Sequence, residues 1–353
     1  MDIIVREETA MRELRLDRRQ LLHRTAMFGV GGVALQTGMF GLPTFGRAAA
    51  SLNTVSLYGN VSPIFDELMK AGRYYEEFGL ETSKTTVSDG TKIIASLVSG
   101  ASDLSTGSGF SGVFPAVAKG AKLKVLAGVY LRPQTALFAK SPDIRSSADL
   151  VGKTVAIGPV GAQLHALSIA LLRKKGVDAT NVKFVNIGAI SDVFKAVVAG
   201  TVDAGFGTAD VYFEQEKYGV HSLSDGALWN ELPEYTNQAM VASDQAIAEK
   251  RDDLVKALAA HAKLFRFISS PQSEEPWIKA RAIVTGKDNP REAQAQWKFF
   301  NAPGMLAADL VLEPSRFDFI QKLNVEVGVQ KDMLPFEQFA DMSIAQDALK
   351  QLG

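Results

Sequence analysis

The sequence predicts an α/β protein made of two similar lobes with a ligand cleft between them, followed by a helical C-terminal tail. The first observation is an internal repeat: VSGASDLSTGSG at 98–109 returns as VAGTVDAGFGTA at 198–209. The second is the order strand, helix, strand, helix, strand, which occurs once in each half and is typical of parallel sheets with right-handed crossovers. The third is the length of 353 residues, which allows about two domains. A repeat spaced by about 100 residues is too long for a solenoid, so it indicates two lobes.

The repeat extends upstream to the first strand of each half. VSLYGN at 55–60 is aligned with VAIGPV at 155–160, which makes Ser56 correspond to Ala156. In both halves an apolar strand leads into a small-residue loop and then a helix. We therefore expect the two halves to share one arrangement of strands and helices.

In the first half, β-branched and apolar runs bounded by glycine predict strands, and apolar residues at helical spacing predict helices. Ser62 suits the N-cap, Pro63 the first turn and Gly79 the exit of the first helix. The predicted elements are, in order, strand 54–59, helix 62–79, strand 80–88, helix 89–100, strand 103–109, a helix from 110 and strand 123–131.

The second half opens with a one-turn helix that ends at Leu150 and is capped by Ser146 or Ser147. Its further elements are strand 154–158, helix 161–176, strand 181–188, helix 191–200 and strand 203–207. A strand at 237–243 and a long amphipathic helix at 244–270 then return to the first lobe, and residues 275–353 are mainly helical. The domain boundaries that follow are 1–50, 51–140, 141–236 and 237–353.

Composition excludes several classes of function. A net charge of −1 provides no field that would attract nucleic acid. The absence of cysteine excludes disulfides, zinc–thiolate sites and cysteine nucleophiles. No Walker loop, dinucleotide fingerprint or serine-hydrolase motif occurs. His165, His221 and His261 lie on different predicted elements, so we expect neither a metal site nor another cofactor.

Residues 1–50 have the order of a secretory signal: a basic segment, a short apolar glycine-rich run and then small residues. Arg18 and Arg19 resemble the pair of a twin-arginine export signal, although Asp17 and Leu21 depart from its usual pattern. We expect cleavage after Ala50 and export to the periplasm. The alternative is an N-terminal extension that is not removed.

Four segments carry a resemblance to a known family: IRSSADLVGKTVAIGPVGAQ, GVDATNVKFVNIG, AVVAGTVDAGFGTAD and IASLVSGASDLSTGSG. Over residues 52–270 the chain resembles the substrate-binding proteins of ABC importers in the nitrate/sulfonate/taurine group, which includes the NMT1/THI5-like domain. The resemblance implies a type II periplasmic-binding-protein fold, with the ligand captured by lobe closure and delivered to a membrane permease. It implies a monomeric binding protein that needs no catalytic residue.

The candidate ligand-binding residues lie where parallel strands end, because helix N-termini there offer unpaired N–H groups and a partial positive charge. Glycines at these ends let the backbone approach a ligand closely. In the first lobe they are Tyr58, Asn60, Ser62, Gly90, Thr91, Ser108, Gly109, Phe110, Tyr130 and Arg132. In the second lobe they are Gly161, Gln163, Gly207, Thr208 and Asp210.

Several of these residues also have a structural interpretation. Tyr58, Phe110 and Tyr130 could stack on a planar ligand or lie in the core. Arg132 could bind a carboxylate or sulfonate, or form a surface or interlobe ion pair. Asp210 could select a cationic solute.

Three acidic residues near strand ends are explained more simply by local structure. Asp89 could also attract a cation, but it is better placed as the N-cap of the helix that follows. Asp103 and Asp203 each follow a helix-ending glycine, and we expect them to cap the turn before the third strand of each lobe.

The expected ligand is a small organic anion or a polar planar molecule: a sulfonate, a taurine-like compound, nitrate, an aromatic carboxylate or a pyrimidine. One alternative is an enzyme on the same fold, of the thiamine-pyrimidine or menaquinone-pathway type. The absence of cysteine counts against the iron-dependent pyrimidine synthase, and an export signal counts against cytosolic biosynthesis. Another alternative is a periplasmic sensor that presents its ligand to a signalling partner.

Overall fold

The strands form two separate five-stranded sheets in the computed structural model, which describes residues 50–57 and 61–352. The strands are β1 (Ala50–Leu57), β2 (Leu80–Val87), β3 (Leu104–Ser108), β4 (Leu123–Tyr130), β5 (Thr135–Ala139), β6 (Thr154–Ile157), β7 (Lys183–Asn186), β8 (Ala204–Thr208), β9 (His221–Ala227) and β10 (Gln238–Ser243). The first sheet has the order β2-β1-β3-β10-β4 and the second the order β7-β6-β8-β5-β9. The two orders are the same once β10 is equated with β5, as the internal repeat predicted.

Fourteen α-helices lie in the described part of the chain, together with 3₁₀ turns at Ser147–Leu150, Ala179–Asn181, Gln215–Tyr218 and Pro271–Ser273. They are α1 (Ser62–Ala71), α2 (Tyr74–Glu77), α3 (Gly90–Val98), α4 (Phe110–Ala118), α5 (Gln163–Lys174), α6 (Ile190–Ala199), α7 (Ala209–Tyr212), α8 (Leu228–Glu231), α9 (Asp244–Ile268), α10 (Glu274–Thr285), α11 (Pro290–Asn301), α12 (Pro314–Glu326), α13 (Phe336–Phe339) and α14 (Ser343–Lys350). The helices predicted from periodicity are therefore present, with one division described below.

Each sheet contains one antiparallel strand that arrives from the other half of the chain. β10 lies antiparallel between β3 and β4, and β5 lies antiparallel between β8 and β9. The expectation of purely parallel sheets is therefore corrected, and strands β5 and β9 were not predicted. The chain crosses between the sheets twice, at residues 131–134 and at residues 228–237.

We call the first sheet with the helices packed on it lobe 1, and the second sheet with its helices lobe 2. Because β5 belongs to the second sheet, the change of sheet occurs before residue 135 rather than at the predicted boundary of 140. β10 and α9 return to the first sheet, in the order that the sequence predicted.

The predicted helix 62–79 is divided into α1 and α2. Gly72 and Arg73 interrupt it, and Arg73 has a left-handed φ of 52°. Ser62 does not cap α1, because the N-cap position is Val61 and no side chain caps it. The break turns α2 so that the Tyr75 hydroxyl lies 3.4 Å from Nε2 of His261 on α9. The interruption lies at Gly72, a residue type that disfavours the interior of a helix.

The repeated aspartates join the first and third strands of their sheets. Asp103 Oδ2 accepts from the Asn53 amide at 2.8 Å, and Asp203 Oδ2 accepts from the Thr154 amide at 2.7 Å. The amides of Asp103 and Asp203 donate in return to the carbonyls of the same two residues. The side chains thus bond across to a neighbouring strand, and the predicted local turn capping is wrong.

These equivalent bonds also define how the two lobes correspond. Asn53 is the counterpart of Thr154, so Ser56 is the counterpart of Ile157. The alignment of VSLYGN with VAIGPV is therefore wrong by one residue. In a strand such a slip moves every side chain to the opposite face of the sheet.

The helical tail contacts both lobes. α12 packs against α4 of lobe 1 and α5 of lobe 2, and α11 packs against α7 of lobe 2. Arg173 on α5 forms an ion pair with Glu326 on α12. Phe299 on α11 packs edge-on against Trp229 on α8, with 4.9 Å between the ring centroids.

Candidate functional site

The carboxyl ends of the parallel strands in the two sheets lie on facing edges of the lobes. Gln163 begins the helix after β6, and its Nε2 donates to Oδ1 of Asn237, which directly precedes β10. Gln163 also bonds to the hydroxyl of Tyr235, whose pKa is raised by burial. Gln163, a predicted ligand contact, therefore links the two lobes in this structure.

The first-lobe candidates at the ends of β1 and β2 differ in position and in burial. Tyr58 and Asn60 lie outside the described residues. Ser62 is half-buried at the start of α1. Gly90 and Thr91 begin α3, and Asp89 caps that helix by accepting from the Lys92 amide at 3.1 Å. This hydrogen bond lowers the pKa of Asp89 and supports its interpretation as an N-cap.

At the end of β3, only part of the predicted set faces open space. The hydroxyl of Ser108 is buried and donates to Ser105 Oγ at 2.8 Å. Gly109 precedes α4, and a Cβ at this position would have no described atom within 4 Å. The ring of Phe110 is fully buried, stacked on Phe114 at 5.3 Å and edge-on to Phe317 at 5.8 Å. Phe110 is therefore a core residue, which is the second of the two interpretations that the sequence allowed.

In lobe 2 the glycines serve packing as well as loop geometry. Gly161 has φ 84°, and a Cβ there would lie 2.4 Å from Cγ1 of Val329 in the tail. Its amide donates to His165 Nδ1 at 3.1 Å. A Cβ at Gly207 would lie within 3 Å of Val211, Phe138 and Phe194, so Gly207 is required by the core. That Gly207 lines the cleft stays a prediction.

The last two second-lobe candidates lie at α7, next to the tail. Thr208 is half-buried at the N-cap of α7 but does not cap it with its side chain. The carboxylate of Asp210, like that of Glu214, acts on Arg281 of α10. Burial lowers the pKa of Arg281, and these two acidic groups partly offset the effect. Asp210 therefore has a cationic neighbour within the protein.

Two arginines mark the crossovers between the lobes. Nη1 of Arg316 donates to the carbonyl of Leu131 at 3.0 Å in the first crossover, and to Pro233 O and Thr236 Oγ1, both at 3.3 Å, in the second. Arg132 lies half-buried beside it. Burial, together with the charge of Arg132, lowers the pKa of Arg316. Two guanidinium groups thus lie close together, and the carboxylates of Glu234 and Asp309 partly offset their effect on the pKa of Arg316.

Arg316 was not predicted as a functional residue. Its partners lie 185, 83 and 80 positions away in the chain, so nothing in the local pattern marks it. Sequence reasoning selected Arg132 alone because it follows a strand end directly.

A cavity of about 570 Å³ lies inside lobe 1, between the first sheet and helices α1, α2 and α9. Ser62, Gly107, Tyr130 and Gln238 line it at the carboxyl edge of the sheet. Leu80, at the start of β2, lines its other end. These two ends of the cavity are seven residues apart along a strand, which corresponds to roughly 23 Å. Of the predicted residues, Ser62 and Tyr130 contribute to it.

The deep end of the cavity is polar but uncharged. Burial lowers the pKa of His261 to about 4, so the ring is neutral at pH 7. Its Nδ1 lies 2.9 Å from the Ala257 carbonyl, which can only accept, so Nδ1 carries the proton. Nε2 then accepts from the Tyr75 hydroxyl. Burial also raises the pKa of Tyr130 at the cavity wall, which keeps its hydroxyl protonated.

Neither a metal centre nor a membrane-spanning helix is found in residues 50–57 and 61–352. No group of three or more histidine, aspartate and glutamate side chains there could hold a metal ion. None of the helices in the same residues is long and apolar enough to cross a membrane.

Comparison with known proteins identifies a family and a fold. The model of the NMT1/THI5-like family matches residues 69–273. The periplasmic aliphatic sulphonate binding protein SsuA from Escherichia coli is similar in structure, with a TM-score of 0.67 and 20% identity, covering 82% of this chain and 92% of that one. Comparison with curated proteins finds no match.

Two other solved structures extend the likeness. The periplasmic nitrate-binding protein NrtA from Synechocystis PCC 6803 matches with a TM-score of 0.66 and 10% identity, over 86% of this chain and 89% of that one. A Candida albicans protein described as having the generic periplasmic binding protein fold matches with a TM-score of 0.59 and 13% identity, over 85% and 94%. The periplasmic-binding-protein fold predicted from the sequence is confirmed.

Proposed function

The chain belongs to the NMT1/THI5-like family, and we propose that it is a periplasmic solute-binding protein that captures a small organic anion or polar planar molecule between its lobes. In this proposal no covalent chemistry occurs. Lobe closure buries the ligand, and the closed form is recognised by the membrane permease of an ABC importer.

One observation carries the proposal: two sheets of the same strand order exchange one strand each, and their carboxyl edges face each other. Ligands of parallel-sheet proteins bind beyond the carboxyl ends of the strands. Two crossover segments provide the hinge that closure requires. Arg316 bonds to both segments and so positions the hinge.

The guanidinium group of Arg132 supports an anionic ligand. Arg132 is half-buried, and its guanidinium could form the bidentate hydrogen bonds that carboxylate and sulfonate oxygens accept. The similar proteins of known structure include a sulphonate-binding and a nitrate-binding protein, which agrees with this preference. The predicted signal in residues 1–50 agrees with a periplasmic location.

The test is a thermal-shift screen of the purified protein against taurine, methanesulfonate, nitrate, benzoate and a pyrimidine. A ligand that binds the native state raises the melting temperature, by the equivalent of about 2.7 kcal/mol at a hundredfold excess over Kd. We expect at least one anion to do so and to reduce the radius of gyration measured by X-ray scattering.

Variants distinguish the cleft from binding elsewhere. Arg132→Gln should reduce the shift caused by an anion. Lys183→Gln, an exposed lysine on the outer strand β7, removes the same charge far from the crossovers and should leave the shift unchanged. Equal effects of the two variants, or formation of a reaction product from a compound that binds, would contradict the proposal.

A further inference from the structure

Strand β1 of lobe 1 is covered on both faces, yet it carries polar side chains where apolar ones are expected. Thr54 and Ser56 on β1 are each only 3% exposed, and Thr106 on β3 is half-buried. All three line the cavity. Oγ of Ser56 has no hydrogen-bond partner among the described residues, and a buried hydroxyl without a partner costs about 1–3 kcal/mol.

The cavity is large enough for a ligand, since pockets that bind small molecules have volumes of roughly 300–1,000 Å³. Phe65, Met69, Leu264 and Phe265 provide apolar walls. The cavity is open to solvent where the exposed side chains of Lys70, Arg73 and Glu81 line it. The volume, the apolar walls and the unpartnered hydroxyl together fit a binding site for a small molecule.

Six charged residues line the cavity, three of each sign: Asp66, Glu76 and Glu81, and Lys70, Arg73 and Lys84. Lys84 pairs with Asp66, and Arg73 pairs with Glu76. The buried polar groups along the cavity are hydroxyls and the neutral ring of His261. A charged ligand would lose its hydration there without gaining a counter-ion, whereas an uncharged ligand would not.

We propose that the cavity of lobe 1 is a binding site for an uncharged, elongated and largely apolar molecule whose single hydroxyl or carbonyl group bonds to Ser56 Oγ. Ser62, Gly107 and Gln238 line the end of this site at the carboxyl edge of the sheet. The body of the site lies between the first sheet and helices α1, α2 and α9 and takes an uncharged molecule, so binding there can be measured whether or not an anion binds between the lobes.

The test uses straight-chain alkanols of four to ten carbons, titrated calorimetrically into the full chain. Each added methylene buried in an apolar wall contributes about 0.8 kcal/mol, so Kd should fall about fourfold per carbon until the cavity is filled. Octanoate and octylammonium should bind at least tenfold more weakly than 1-octanol. Equal affinity for the three compounds, or no saturable binding of any alkanol, overturns the proposal.

Variants at Ser56 locate the site. Ser56→Ile replaces the hydroxyl with a larger apolar side chain that projects into the cavity, and it should weaken 1-octanol binding at least tenfold. Ser56→Ala removes only the hydroxyl and should weaken it about fivefold, which keeps the test valid if the larger residue prevents folding. Thr85→Ile, an exposed substitution on the opposite face of β2, is the matched control and should leave Kd unchanged. Unchanged octanol affinity in both Ser56 variants would show that the alkanols bind elsewhere.

Discussion

Lobe 1 and lobe 2 share a backbone plan but differ in what fills them. Both have the same strand order and the same aspartate bond between first and third strands. At the equivalent inward positions, lobe 1 has small polar residues and lobe 2 has large apolar ones. The pairs are Thr54 and Val155, Ser56 and Ile157, and Thr106 and Phe206.

This difference distinguishes the residues that maintain the fold of both lobes from the residues that could bind a ligand in lobe 1. Val155, Ile157 and Phe206 are at most 1% exposed and fill lobe 2. Lobe 1 instead has a cavity at the same place in its sheet. The repeated residues therefore maintain the arrangement of strands, while the residues that are not repeated place buried apolar side chains in lobe 2 where a cavity lies in lobe 1.

The largest expected effect comes from giving lobe 2 the residue of lobe 1. Ile157→Ser should destabilise the protein by about 4 kcal/mol, because it removes a fully buried apolar side chain and buries a hydroxyl. Urea unfolding followed by circular dichroism measures this. A loss below about 1 kcal/mol would mean that lobe 2 is less tightly packed than its burial indicates.

The next effect concerns pH and is confined to lobe 1. The folded-state pKa of His261 is about 4, below the ordinary value of about 6.5, so the unfolded chain binds a proton first as pH falls. Stability should therefore decrease by about 3 kcal/mol between pH 6.5 and pH 4 because of this residue. The loss is complete below the folded pKa and absent above pH 7.

His261→Gln cannot titrate and should remove this part of the pH dependence. Its side-chain amide can still donate to the Ala257 carbonyl, which is the bond that Nδ1 makes in the native protein. Unfolding free energies at pH 4.5 and 7 provide the comparison. The same difference between the two pH values in the variant and the native protein would contradict the buried, neutral state of His261.

The repeated aspartates should also differ in their contribution to stability. Asp103 bonds to the Asn53 amide and pairs with Lys250 at 2.8 Å, where a non-helical residue interrupts α9. Asp103→Ala leaves that lysine partly buried without a counter-ion, and should cost about 2 kcal/mol. Asp203→Ala, which loses the equivalent amide bond alone, should cost about 1 kcal/mol. Equal losses would show that Lys250 contributes nothing to lobe 1.

Most of the regular structure could be predicted because strand and helix periodicity and glycine boundaries are local signals. β5 and β9 were missed because the crossing strand β5 follows β4 with no helix between them, so it interrupts the alternating pattern. The break between α1 and α2 was missed because the apolar spacing continues across it, although Gly72, a poor helix former, lies at the interruption.

The site was harder to predict because strand ends indicate an edge of a sheet but not the direction of a side chain. Phe110 follows a strand end and yet has its ring in the core. The sequence alignment of the two halves was wrong by one residue and paired Ser56 with Ala156. Because both of these residues are small, the alignment did not show the difference between the lobes. Only the bonds of Asp103 and Asp203 show that Ser56 corresponds to Ile157.

The smallest expected effect has the opposite sign to the others. Ser56→Ala removes a buried hydroxyl that has no partner among the described residues, so it should stabilise the unliganded protein by up to about 1 kcal/mol. Urea unfolding of the variant and of native protein, both without alkanol, measures the difference. If Ser56 had no role in binding, Ser56→Ala would stabilise the protein without any loss of alkanol affinity. If Ser56 binds the alkanol, the variant should be more stable and should bind the alkanol more weakly. A destabilised variant would show that Ser56 already has a partner in lobe 1, and the two lobes would then differ in side-chain size but not in an unmet hydrogen bond.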